Sequence, residues 1–192
     1  QKHSLVNGVN TKKLEHKVKK IFNMKYALMT NSGSSANLLG LASFNFKKNS
    51  EIITPALTFS TTVAPIVQCN LIPHFVDIDL KTLQIDINLI IKAINKKTVA
   101  IMVPNLIGNI ADWKNLRRIA DKYKLKLIED SADTIGYKNT SQKKYKNADI
   151  CTTSFYASHV VTGAGNGGMV CFNDKANYQK ALSLRSWGRR SS

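Results

Sequence analysis

Short apolar runs bounded by glycine, proline, asparagine or aspartate alternate along the whole chain with stretches in which apolar residues recur every three or four positions. That alternation of strand-like and helix-like segments predicts an α/β domain with a mostly parallel sheet and helices on both faces. Seven runs read as strands: residues 25–30, 51–55, 73–77, 98–103, 125–128, 150–156 and 168–172. The run at 98–103 carries no polar alternation, as expected of a strand covered on both sides. Between the strands, Leu14, Val18, Ile21 and Phe22 share a face of a helix that Asn10 or Thr11 is placed to cap. Residues 38–44 form a second apolar helix. Asp86 caps a third, with Ile87, Ile90, Ile91 and Ile94 in register. Asp112 opens a fourth, with Trp113, Leu116, Ile119 and Tyr123 inward. Asp174 caps a last helix that runs to Leu184. Residues 59–70 fit neither period, and Pro65 inside them is expected to kink or end a helix.

Composition narrows the class. A chain of 192 residues holds one full domain with a real core but not a second large one. No apolar run has membrane-spanning length, and the lysine-rich residues 1–20 lack the apolar centre of a secretory signal. The expectation is a cytoplasmic protein without a membrane partner. The chain begins close to one helix and stops at Arg189-Arg190-Ser191-Ser192 just after another, which predicts a fragment of a longer protein. The net charge of +16 invites a nucleic-acid reading. The lysines are scattered among asparagines and isoleucines, however, and no aromatic and basic residues alternate as an RNA-binding sheet requires. Nucleic acid is therefore not the expected partner, whereas a diphosphate-bearing substrate suits the charge. Cys69, Cys151 and Cys171 lack any paired spacing, so no metal site is expected and core thiols in a reducing compartment are. Asn139-Thr140-Ser141 fits a glycosylation acceptor but stands without other signs of secretion.

Three segments carry candidate chemistry. Gly33-Ser34-Ser35 lies between a strand and a helix, where backbone amides and the positive helix end suit a phosphate, or where serines simply cap. Asp130 ends an apolar strand, at the edge where open parallel sheets collect ligands. It is either a structural acid with a polar partner or a counter-charge for a protonated pyridine nitrogen. The glycines from Gly163 to Gly168 match a dinucleotide fingerprint in letters only, because a strand rather than a helix follows them. His159 is either a hydrogen-bonded structural histidine or an acid/base group. Ser158 beside it makes no hydrolase, since no nucleophile elbow surrounds it.

Taken together and in order, the segments 30–37, 55–59, 75–79, 129–133, 154–156, 167–170 and 184–189 resemble the DegT/DnrJ/StrS family of pyridoxal-phosphate sugar aminotransferases and dehydratases. The resemblance implies a fold-type I large domain that binds the cofactor over residues 1–192, with the small C-terminal domain absent. It implies that Gly33, Ser34, Ser35 and Ser154 hold the cofactor phosphate, that Phe59 stacks on the ring and that Asp130 pairs with its nitrogen. Ala132 and Asp133 would line the other side of the ring. His159 stands where most of the family carries the lysine that tethers the cofactor, and imidazole cannot form that linkage. The substitution, with Asn105-Leu106-Ile107-Gly108-Asn109, looks like the sugar 3-dehydratase branch. The implied reaction uses pyridoxamine phosphate on a nucleotide-linked 4-keto-6-deoxyhexose, with His159 as acid and base, glutamate or a similar amino donor, and a homodimer with shared sites. Cysteines follow Trp-Gly-Arg in iron–sulfur members, whereas Arg190-Ser191-Ser192 follow it here. Rival readings are an aminotransferase that recruits Lys138 or Lys143, and a non-catalytic protein that binds cofactor or nucleotide sugar.

Overall fold

The computed structural model describes residues 8–135 and 148–189. Lys138, Lys143, the Asn139-Thr140-Ser141 triplet and Arg190-Ser191-Ser192 lie outside the described residues. In chain order the helices are α1 (Val9–Ile21), α2 (Gly33–Ser43), α3 (Ser60–Gln68), α4 (Ile87–Ala93), α5 (Trp113–Lys122) and α6 (Lys175–Arg185). The strands are β1 (Tyr26–Thr30), β2 (Glu51–Pro55), β3 (Ile72–Val76), β4 (Ile78–Asp79), β5 (Gln84–Ile85), β6 (Thr98–Pro104), β7 (Lys126–Asp130), β8 (Ile150–Ser154) and β9 (Gly168–Phe172).

Seven of these strands form one sheet in the order β1-β9-β8-β7-β6-β2-β3. Pairing is parallel from β3 across to β8, and β9 runs antiparallel between β8 and β1. The expected mostly parallel, seven-stranded architecture is therefore the observed one. Alternation of side chains along each strand builds two cores. Ile53, Ile101, Leu127 and Cys171 pack on one face with α1, α4 and α5. Ile52, Met102, Ile128 and Val170 pack on the other with α2, α3 and α6. β4 and β5 form a separate two-stranded ribbon that the apolar pattern does not reveal, because each strand has only two residues.

Several local expectations change. α1 begins after Gly8 without a side-chain cap, so neither Asn10 nor Thr11 caps it, and Ile21 is exposed. Ile91 is also exposed, because α4 is only two turns long and turns one face inward. Cys151 and Cys171 are core thiols, but Cys69 is only partly buried. Residues 59–70 contain a continuous helix, α3, with Pro65 inside it. The ring removes the amide that would have bonded the Thr61 carbonyl four residues back. That carbonyl accepts instead from Nδ2 of Asn37 on α2, at 3.2 Å. The proline thus ties α3 to α2 rather than ending it. No helix among the described residues is long and apolar enough to cross a membrane.

Candidate active site

The strand register aligns Pro104 with Asp130, Asp130 with Thr152, Ser154 with Gly168, and Gly168 with Thr30. These positions form the carboxyl edge of the parallel strands, from which the loops after β1, β6, β7 and β8 emerge. Ligands of open α/β sheets collect at such an edge.

At the first loop, Ser32 caps α2: its Oγ accepts from the Ser35 amide at 3.1 Å and donates to the Ser35 hydroxyl at 3.1 Å. The first intrahelical bond runs from the Ala36 amide to the Ser32 carbonyl. The amides of Gly33 and Ser34 thus stand at the positive end of an 11-residue helix. Gly33 sits against Ser154, and a Cβ added to it would fall 2.7 Å from the Ser154 Cβ. Gly168 has the same need from the other side, since a Cβ there would overlap the Ser32 carbonyl. Only glycines let β1, α2, β8 and β9 close into this narrow cup. Ser154 is buried, and its Oγ accepts from the Tyr156 amide at 3.2 Å. Ser32 is a residue that sequence reasoning missed, although serine is a favoured N-cap residue and this one stands between the strand and the helix.

Glu129 and Asp130 are consecutive on β7 and therefore face opposite sides of the sheet. Asp130 Oδ2 accepts from Asn37 Nδ2 and Thr62 Oγ1, both at 2.8 Å, and Oδ1 accepts from the Ala132 amide at 3.2 Å. Thr152 in turn donates to Asn37 Oδ1. Burial pushes the Asp130 carboxyl above the usual carboxylate range, against the pull of Asn37, Thr62 and the Ala132 amide, and the neighbouring Asp133 charge adds to the rise. Glu129 lies in the opposite core, accepting from Ser131 Oγ at 2.6 Å, Asn105 Nδ2 at 3.0 Å and Cys151 Sγ at 3.3 Å. Burial raises it too. Asn37, Thr62 and Thr152 were not singled out from sequence, because their partners are 93, 68 and 115 residues away along the chain.

Phe59 immediately precedes α3, where it is 69% exposed, and its carbonyl accepts from the Thr62 amide. Its exposed ring is thus carried on the turn that also supplies Thr62 to Asp130. Ala132 contributes its amide to the same carboxylate. Asp133 has two partners that the sequence does not announce: its Oδ1 lies 3.2 Å from Nδ1 of His159, and its Oδ2 accepts from the Ile107 amide at 3.1 Å. His159 is on the loop after β8, where its amide donates to the Tyr156 carbonyl and the Tyr156 ring meets it edge-on. The arrangement collects an anion cup, a buried carboxyl able to neutralise a cation, an exposed aromatic face and an imidazole paired through one nitrogen. A phosphorylated pyridine fits those donors: the helix end with the Gly33 and Ser34 amides suits its phosphate, and the buried Asp130 gains a cation that offsets its desolvation.

A family model described as the DegT/DnrJ/EryC1/StrS aminotransferase family matches residues 1–192. The lipopolysaccharide biosynthesis protein RfbH of Salmonella typhimurium is 41% identical over 96% of this chain and 44% of its own length. A GDP-perosamine synthase of Vibrio cholerae is 33% identical over 86% of this chain and 45% of its own. The solved E. coli GDP-4-keto-6-deoxy-D-mannose-3-dehydratase with bound hydrated PLP superposes with a TM-score of 0.85 at 34% identity, covering 93% of this chain and 47% of that one. The chain spans less than half the length of these relatives.

Proposed function

The chain belongs to the DegT/DnrJ/EryC1/StrS aminotransferase family, and on that footing we propose that it is the cofactor-binding part of a pyridoxamine-phosphate-dependent 3-dehydratase acting on a nucleotide-linked 4-keto-6-deoxyhexose. The observation that carries this reading is His159. It stands five residues after Ser154, where the family resemblance places a lysine, and it is paired with a carboxylate rather than offering an amine. The pathway implied is deoxysugar synthesis for lipopolysaccharide in the cytoplasm, with a donor such as glutamate regenerating the amine and a homodimer completing the sites.

Bound pyridoxamine phosphate would supply an amine for the C4 ketone and a conjugated ring that delocalises charge. The Gly33 and Ser34 amides, with the Ser35 and Ser154 hydroxyls, would hold the phosphate. Phe59 would cover one face of the ring, with Ala132 and Asp133 across from it. Asp130 would keep the ring nitrogen protonated, and Asn37 and Thr62 would fix that carboxylate in place. His159 would take the C4′ proton and return it to the C3 hydroxyl, which leaves as water when the C3–O bond breaks.

Two measurements test this. Borohydride reduction of the cofactor-loaded protein is expected to leave no lysine-linked adduct, and such an adduct would replace the dehydratase by an aminotransferase. Exchange of the C4′ proton of bound pyridoxamine phosphate is expected to fall by roughly 10²- to 10⁴-fold in His159→Asn. Exchange absent from the unaltered protein would favour a non-catalytic binder instead.

A further inference from the structure

Asp133 has both carboxylate oxygens committed. One lies 3.2 Å from His159 Nδ1, and the other accepts from the Ile107 amide at 3.1 Å. The segment carrying that amide is itself pinned. Asn105 at its base is buried, donates to Glu129 and Ser131 at 3.0 Å each, and accepts from the Ala111 amide at 3.1 Å and the Trp113 indole at 2.9 Å. Ile107 and Gly108 follow at φ +55° and +81°, left-handed values that a β-branched residue such as Ile107 rarely adopts. The amide that grips Asp133 is therefore mounted on a loop anchored to the buried core of β7. The Asp133 carboxylate is in turn a fixed acceptor beside an imidazole whose side chain is 21% exposed.

A histidine that exchanges protons through one nitrogen needs the other one held, because the partner at one nitrogen decides the tautomer. We infer that Asp133 is a positioning residue for His159: it accepts the Nδ1 proton while the Ile107 amide holds its second oxygen, leaving Nε2 as the nitrogen that moves protons. The inference rests on the reading of His159 as the acid/base group, but its structural half is separable from that reading. It also gives the 105–109 loop a specific part in the site. Asn105 and Ile107 act on the imidazole through one carboxylate, without touching the substrate. An amide in place of the carboxylate offers one acceptor oxygen and a donating NH2, so Asp133→Asn can accept from the Ile107 amide only while donating to Nδ1, which leaves the ring proton on Nε2.

The direct test is ¹⁵N-histidine NMR of the intact cofactor-free protein at a pH where the imidazoles are neutral, with the His159 signal identified by its loss in His159→Gln. His159 is expected as the Nδ1–H tautomer, the less common form of free histidine. It is expected to shift to Nε2–H in Asp133→Ala and Asp133→Asn, and to return at least in part in Asp133→Glu. A merely structural Asp133 would leave the tautomer unchanged in every variant that folds. Nε2–H in the unaltered protein, or Nδ1–H persisting in Asp133→Ala or Asp133→Asn, overturns the inference. C4′ proton exchange on added pyridoxamine phosphate separates the two readings. A drop on the order of 10²-fold in Asp133→Asn with cofactor affinity held supports the inference. A drop in His159→Asn but none in Asp133→Asn sinks it while sparing the function. An Nδ1–H tautomer with exchange indifferent to His159→Asn supports the positioning and sinks the acid/base role.

Discussion

On β7 two neighbouring carboxyls have different surroundings because the strand turns them to opposite sides. Glu129 is enclosed by Ser131, Asn105 and Cys151, whereas Asp130 reaches the ligand edge and is held by Asn37 and Thr62. Residue type alone distinguishes them poorly, and position along the strand distinguishes them well. The same logic gives Gly33 its sharpest prediction. In Gly33→Ala the new Cβ meets Ser154 Cβ at 2.7 Å, with the Ser154 Cα at 3.3 Å behind it. The overlap should destabilise the fold by about 1–3 kcal/mol and weaken pyridoxamine phosphate binding. Ser154→Gly in the same chain removes the nearer obstacle and should restore part of the lost stability, though not the phosphate contact proposed for its hydroxyl. Urea unfolding and cofactor titration of the two single variants and the double variant measure this. Strict additivity in both assays would show that the two residues do not meet as described.

At the scale of elements, legibility followed the range of the interaction. β2 and β9 span the predicted residues, since turn residues bound continuous apolar runs at both. The caps Asp86, Asp112 and Asp174 were also readable, each accepting from an amide two or three residues on. Asp112→Ala should therefore remove one cap bond and destabilise by about 1 kcal/mol, lowering the melting temperature by about 2–4 °C. Calorimetry that shows no change would mean the Asn115 amide finds another acceptor. The helical state of residues 59–70 was not readable, because what compensates Pro65 is Asn37, on another helix. The Asp133 pairing escaped for the same reason. Nothing local to the segment 129–133 says that the Ile107 amide and the His159 ring converge on it. Of the candidate site, the glycine-serine helix start and the strand-end acid were visible as local motifs. The polar layer that orients them was not, because it is made by tertiary pairing.

For the molecule as a whole, the two raised carboxyls on β7 set a pH dependence whose sign can be worked out. Burial lifts both Glu129 and Asp130 above their unfolded values. The native state then holds protons that the unfolded chain has released, so their contribution is fully present below about pH 4 and is lost as pH rises through the lifted values. Glu51 acts in the opposite sense, since Asn95 and His74 lower it, but its contribution falls away only as the pH drops below the ordinary carboxylate range. Between that range and the pH at which thiols begin to ionise, the resolved shifts that set the slope are those of the β7 pair. Asp130→Asn removes one member. It also gives up the oxygen that accepts from Ala132, a loss that does not vary with pH. Across pH 4.5 to 8, urea unfolding of the cofactor-free protein should show the variant gaining on the unaltered chain as pH rises. Parallel stability curves would mean that Asp130 is not the buried acid that geometry makes it. A cation held against Asp130 reverses the sign. An ionised Asp130 is then the preferred partner, so cofactor should stabilise the unaltered protein more strongly at high pH than at low, and Asp130→Asn should abolish that trend. One titration series thus connects a desolvated carboxyl, the stability of the sheet that buries it and the charge of whatever is placed against it.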